Sequence, residues 1–314
     1  MRRFVLRRVG EAAIVLVGVS ILVFSIIHLV PGDPVRLALG TRFDQDTYDA
    51  LRARSGLDQP LVQQYFEWAG NALRGDLGVS FRSGETVSSL IAERLPATIS
   101  LALGAMVVAL LIALPLGLVS ALRPRSKVDY VATVVSQAGI SIPDFWLAIM
   151  AILAFAATLE WLPSGGYTPL SEDPWEWFRH LILPAVTVGV VSGAVLTRFV
   201  RSSAIEALGQ DYTRTADAKG LPARLVLRRH VLRNALVPVV TVAGIQLAYL
   251  LSGVVVIEVV FTWKGLGLLA LQAVKDRDYP VLQGAVLLFA VVFLVVNLVV
   301  DLLYAAIDPR ISRS

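Results

Sequence analysis

The chain has 314 residues, with 28 Lys and Arg against 24 Asp and Glu, a formal charge of +4 and no cysteine. Hydrophobic residues make up 56% and charged residues 17%, where a soluble domain has about 45–50% and ~25%, and the mean hydropathy is +0.70. The excess falls in blocks of ~20 residues, enough to cross a ~30 Å hydrocarbon core. This excludes a soluble globular protein, a disordered chain and a disulfide-stapled secreted domain, and the missing cysteines exclude thiolate chemistry.

Apolar runs predict six spans. The first, from about Glu11 to Val30, follows Arg2, Arg3, Arg7 and Arg8. It is long for a signal peptide and ends in His28-Leu29-Val30-Pro31-Gly32-Asp33-Pro34 rather than in a small-x-small cleavage site, so it reads as a retained helix. Residues 31–96 mix polar and apolar groups, and Pro60 opens a run (Leu61, Tyr65, Trp68, Ala69, Ala72, Leu73) at helical spacing. They predict an extracytoplasmic cap with one amphipathic helix ending near Gly75.

The second span runs from about Ala97 to Leu122. The third, Tyr130 to Ala157, is broken by Gly139 and Pro143 and reads as one kinked crossing or as a re-entrant pair. Charge favours one crossing. The N-terminus, residues 123–129, residues 198–235 and the tail then lie on one side and carry 17 of the 28 basic residues, as cytoplasmic segments do. The fourth span covers Leu181–Val200, the fifth Leu236–Val260 and the sixth Gly284–Ile307. The expected organisation is therefore a first helix (1–30), a cap (31–96), a five-helix core (97–307) with a cytoplasmic loop (203–235), and a cytoplasmic tail (308–314).

Catalytic chemistry is missing from the pattern. His28, His180 and His230 sit on different segments without metal spacing and read as interfacial or capping residues. No lysine follows a phosphate-cradling glycine loop, so any ATP that drives this chain is hydrolysed elsewhere. Polar groups at membrane depth are Asp144, Gln246, Glu258, Asn297 and Asp301; such groups usually face an interior or a water-filled path. Asp144, Gln246, Tyr249, Glu258 and Asn297 are the candidates for a translocation path or gate, against hydrogen bonding between helices as the plainer reading. Glu258 and Asp301 lie near span ends, within reach of the interface. On a regular fifth helix, Gln246, Tyr249 and Gly253 share a stripe and Glu258 falls opposite Tyr249. Gly189 and Gly193 predict close helix packing.

Residues 211–238 predict two short helices around a Gly220-Leu221-Pro222 bend, the first kept slim by Ala216 and Ala218 so that it can enter a groove on a partner. Arg224, Arg228 and Arg229 on the second would meet acidic surface or lipid headgroups.

The stretch Tyr212–Gly220, with Arg233-Asn-Ala-Leu-Val-Pro238, resembles the EAA loop of ABC importer permeases in its dipeptide/oligopeptide/nickel branch. The resemblance spans nearly the whole chain. His28–Pro34, Gly75-Asp-Leu-Gly78, Ser141–Trp146, Glu258–Trp263 with Gly265-Leu-Gly267, Asp278-Tyr-Pro280 and Asp308-Pro309-Arg310 are similar to the first (B-type) permease of that branch. Arg214 stands where the general motif has glutamate, and Gly220 to Pro238 is a longer interval, as is usual for the peptide branch.

The resemblance implies an all-α polytopic protein of the bacterial inner membrane, with six transmembrane helices, the type I ABC importer permease fold and both termini cytoplasmic. It implies import of short peptides, or of nickel, haem or glutathione, with no enzyme activity or cofactor of its own. The implied partners are a second homologous permease, two ATPase chains that bind ATP and Mg, an extracytoplasmic solute-binding protein and membrane lipid, with no nucleic acid. Arg214, Thr215, Ala216, Asp217, Ala218, Lys219, Gly220 and Leu221 would form the ATPase-coupling helix. A secondary transporter would need inverted repeats and an ion site, and neither is visible.

Overall fold

The computed structural model describes residues 2–29, 32–40, 43–54, 57–252 and 254–307. Val30, Pro31, Gly253 and the tail at 308–314, with its Asp308-Pro309-Arg310, lie outside the described residues. The elements are α1 (Arg2–Leu29), α2 (Pro34–Leu39), α3 (Gln45–Arg54), α4 (Leu61–Leu73), α5 (Val87–Leu122), α6 (Lys127–Ser141) and α7 (Asp144–Ala151, widening into a π-helical Ile152–Thr158). They continue with α8 (Pro174–Gly209), α9 (Asp211–Ala218), α10 (Ala223–Val226), α11 (Leu232–Leu251), α12 (Val255–Val260), α13 (Leu266–Asp276) and α14 (Tyr279–Ile307). Among the described residues five helices are long and apolar enough to cross a membrane, and α6 with α7, bent by 98° at their break, adds a sixth if the pair is one span. The bend has a local cause. Pro143 opens α7 and forces Ile142 into an extended conformation (φ −82°, ψ 126°).

Helices α5 and α8 form the spine. Position 104 meets 181 and 185, position 108 meets 189, and position 117 meets 197 and 200, so the two run parallel along this seam. Their seam is built of small residues: Ala105, Ala109 and Ala113 on α5 are fully buried. The expected role of Gly189 and Gly193 holds, because a Cβ on Gly189 would come within 2.6 Å of Val108 Cβ and one on Gly193 within 3.1 Å of the Ala109 carbonyl. Backbones approach this closely only where side chains are absent.

Parallel α5 and α8 also settle the third segment. The chain leaves α5 at the end where Asp129 meets Arg201, crosses α8 at mid-height through Ser136 Oγ donating to the Ala194 carbonyl, and re-enters at the other end, where Gly166 N donates to Phe261 O. It therefore returns across the bundle once.

The first and last helices lie together. Gln283 Nε2 of α14 donates to Val23 O of α1 at 3.0 Å, and Arg8 faces Asp301 at 3.3 Å. Asp301, at the helix end as expected, is thus drawn into an ion pair rather than left to water. The amphipathic helix after Pro60 is α4, which closes over the end of α1. Tyr65 packs edge-on against Phe24, and Gln64 Oε1 meets His28 Nε2 at 3.1 Å. Asp33 then draws in Arg36 N, Tyr48 OH and Arg52 Nη1 to fold the rest of the cap. Asp278 accepts from Ser80 Oγ and Phe81 N, fastening the cap to the corner between α13 and α14. Burial pushes its carboxyl above the usual range, against the pull of those donors.

Candidate functional site

At the end of the bundle where α8 stops, Gln210 breaks the helix and α9 begins. Thr213 Oγ1 donates to the Ala207 carbonyl at 2.8 Å, and Ala216, one turn on, is buried among Ala121, Ala204, Ala207, Val226 and Val231. These two residues are the footing of α9. Arg214, Thr215, Asp217, Ala218, Lys219 and Gly220 all face outward, and Leu221 is half-buried. The 3.6-residue period thus corrects one expectation: Ala216 seats the helix from below, and only Ala218 slims its outer face. Gly220 has φ +74°, and no atom lies within 4 Å of where a Cβ would be. The left-handed conformation, not crowding, is what calls for glycine there.

The expected second short helix is not separate. Helix α10 passes through one π-helical turn (Leu227–Val231) into α11, so Ala223 to Leu251 is one unbroken rod. The exposed loop is therefore held between two long helices with almost no slack.

A buried ion pair that sequence reasoning missed lies beside this footing. Arg201 of α8 grips Asp129 of α6 through Nε at 2.6 Å and Nη2 at 2.8 Å. Ser120 Oγ of α5 and the backbone N–H of Arg125 also donate to the same carboxylate. Asp129 is 5% exposed. Three spans meet at one carboxylate.

The five path candidates are not brought together, and no hydrogen bond joins any two of them among the described residues. Tyr249 stands 62% exposed on α11, with Gln246 half-buried one turn before it. Asp144 Oδ1 accepts from Phe145 N at the start of α7, and Asn297 Nδ2 donates to Phe293 O on α14. Glu258 departs from expectation. The fifth span does not run to Val260 as one helix: α11 ends at Leu251 and α12 is a separate turn, so the phase argument relating Glu258 to Tyr249 does not apply.

Nor does Glu258 reach the interface, since it is fully buried. Its Oε2 accepts from Leu268 N at 2.7 Å and its Oε1 from Thr98 Oγ1 at 3.2 Å. Thr98 Oγ1 accepts in turn from Leu266 N at 2.8 Å, so one carboxylate and one hydroxyl satisfy the open N-terminal amides of α13. A Cβ on Gly265 would overlap the carboxylate. Trp263, also fully buried, donates Nε1 to the Ala97 carbonyl at 2.8 Å and lies edge-on to Tyr167. Helices α5, α12 and α13 and the loop before α8 are knotted at this point. Among the described residues no group of His, Asp and Glu could hold a metal ion.

Residues 1–102 match the N-terminal family of binding-protein-dependent transport system membrane components. The chain is 41% identical over 99% of its length to the whole of the oligopeptide transport system permease protein AppB of Bacillus subtilis (strain 168). It is 42% identical to the glutathione transport system permease protein GsiC of Escherichia coli O6:H1, with 99% of each chain covered. Among solved structures, an inward-facing form of the MetNI methionine ABC transporter superposes with TM-score 0.57 at 19% identity, over 70% of this chain and 96% of that one. The fold is thus that of an ABC transporter membrane chain, in a multi-pass protein of the inner membrane. Residues 113–313 match the principal family model over more than half the chain, and the protein belongs to the binding-protein-dependent transport system inner membrane components.

Proposed function

We propose that this chain is the transmembrane permease subunit of an ATP-driven importer of short peptides, forming half of the translocation path. A second homologous permease would form the other half. Two ATPase chains, binding ATP and Mg, would dock on α9, and a solute-binding protein would deliver substrate to the cap at 31–96. The observation that carries this reading is α9 itself: a short helix with an exposed outer face, seated on two buried residues and held between two long helices. A surface so presented suits the transmission of force from a docked partner. Peptide as substrate rests on the oligopeptide relative; glutathione, carried by the second relative, is itself a short peptide.

The excess of Arg and Lys at the α9 end supports a cytoplasmic position for it. Single cysteines are clean probes in a chain that has none. Ser171→Cys is expected to react with an impermeant maleimide in intact cells and Asp211→Cys to be protected; the reverse pattern refutes the orientation.

Coupling is tested at Gly220. With φ at +74° and open space around it, Gly220→Trp strains the bend without invading a core. The variant is expected to insert and assemble, while peptide-stimulated ATP turnover and uptake fall at least tenfold. Full retention of both would exclude α9 as the coupling element.

A further inference from the structure

We propose that the groove between α5 and α6 is a binding site for one anionic phospholipid, its acyl chain lying between the helices and its phosphate held by the turn that joins them. The groove has a volume of about 320 Å³, and its walls are hydrocarbon: Leu116 and Val119 from α5, and Val128, Val131 and Val135 from α6, with Lys127 at the rim. Val131 and Val135 are 58% and 55% exposed, so this wall faces outward from the subunit. An apolar trough at membrane depth suits an acyl chain.

The turn supplies the charge. Arg123, Arg125 and Lys127 fall within five residues and are all exposed. Their acidic neighbour Asp129 is already held by Arg201, and among the described residues no ion pair involves any of the three cations. Neutralising Asp129 internally leaves three uncompensated positive charges in the turn that joins the two walls, and Lys127 among them lines the groove itself. The backbone geometry is fixed as well, since Arg125 sits at φ +61° with its N–H donating to Asp129 at 2.9 Å. Tyr130, 73% exposed just beyond, is an amphipathic ring of the kind found at the headgroup level. Basic pockets between membrane helices hold phosphate headgroups, and a long lysine stem can lie along the apolar wall with its ammonium at the surface.

The full transporter in nanodiscs tests the proposal. A bimane fluorophore on Val131→Cys reports contact with dibrominated acyl chains, supplied as phosphatidylglycerol or as phosphatidylcholine. Quenching is expected at much lower mole fraction of the phosphatidylglycerol. At roughly fivefold per cation, the preference can reach about a hundredfold, and it should shrink as salt is raised. The triple variant Arg123→Gln/Arg125→Gln/Lys127→Gln should abolish it; if that variant fails to assemble, the salt series on the unaltered turn carries the test. Equal quenching by both lipids would mean ordinary annular lipid and overturn the proposal. So would protection from both, together with cross-linking of Val131→Cys to the second permease, which would make the groove a protein interface.

Discussion

Asp129→Ala is expected to lower the stability of the subunit by roughly 3 kcal/mol, the low end of the range for breaking a buried pair. The low end applies because the Arg201 side chain keeps 33% of its surface exposed. The carboxylate accepts from Arg201, Ser120 and Arg125, so its removal strands a guanidinium and a hydroxyl and releases the turn between α5 and α6. Thermal unfolding of the reconstituted complex, followed through Asp129→Ala, Arg201→Ala and the double variant, reads the coupling directly. The double variant should cost clearly less than the sum of the singles, since neither leaves a charge unpaired in it. ATP turnover should also become less dependent on peptide in Asp129→Ala, because α6 then loses its ionic tie to α8, the helix that leads into α9, and keeps only the Ser136 hydrogen bond and packing against it. Strict additivity, with turnover unchanged, would reduce the pair to a surface contact.

The Glu258 knot should separate two substitutions sharply. Glu258→Ala removes the acceptor from Leu268 N and the partner of Thr98 and leaves a void beside Gly265, for a loss of roughly 3–5 kcal/mol from unsatisfied donors and cavity together. Glu258→Gln keeps the shape and one acceptor oxygen for Leu268, and the Thr98 hydroxyl has a lone pair for the new amide, so its cost should stay near 1 kcal/mol. Gly265→Ala should behave like the alanine variant from the other side, by driving a methyl group into the carboxylate. Melting temperatures of the three variants in the assembled complex check the ranking. Equal, small shifts for all three would show that the knot contributes little.

Much of this architecture is legible in the sequence because it is written locally. The run from Leu61 to Leu73 is apolar on one face and becomes α4; Pro143, with Ile142 extended before it, breaks the third span; Gly189 and Gly193 mark the seam with α5. The outer face of α9 is legible for the same reason, its bend being spelled by Gly220. The two polar knots are not. Asp129 and Arg201 are 72 positions apart, Thr98 and Glu258 160 positions, and each reads alone as a loop charge or a membrane-depth polar group. The break after Leu251 carries no proline, so the fifth span extrapolates through it. The merger of α10 into α11 is hidden for the opposite reason, because the stop signals that a short helix would need are absent.

The unbroken rod from Ala223 to Leu251 has a mechanical consequence. It crosses α14 closely at Gly244, where a Cβ would overlap Val300. A fulcrum there divides the rod into arms of roughly 31 Å toward the α9 end and roughly 10 Å toward the far end, at 1.5 Å per residue. A rod pivoting at that crossing works as a reducing lever. A sideways stroke delivered at Ala223 reaches Leu251 about threefold smaller and correspondingly more forceful, so a broad swing at one face becomes a short, firm displacement beside Tyr249 at the other.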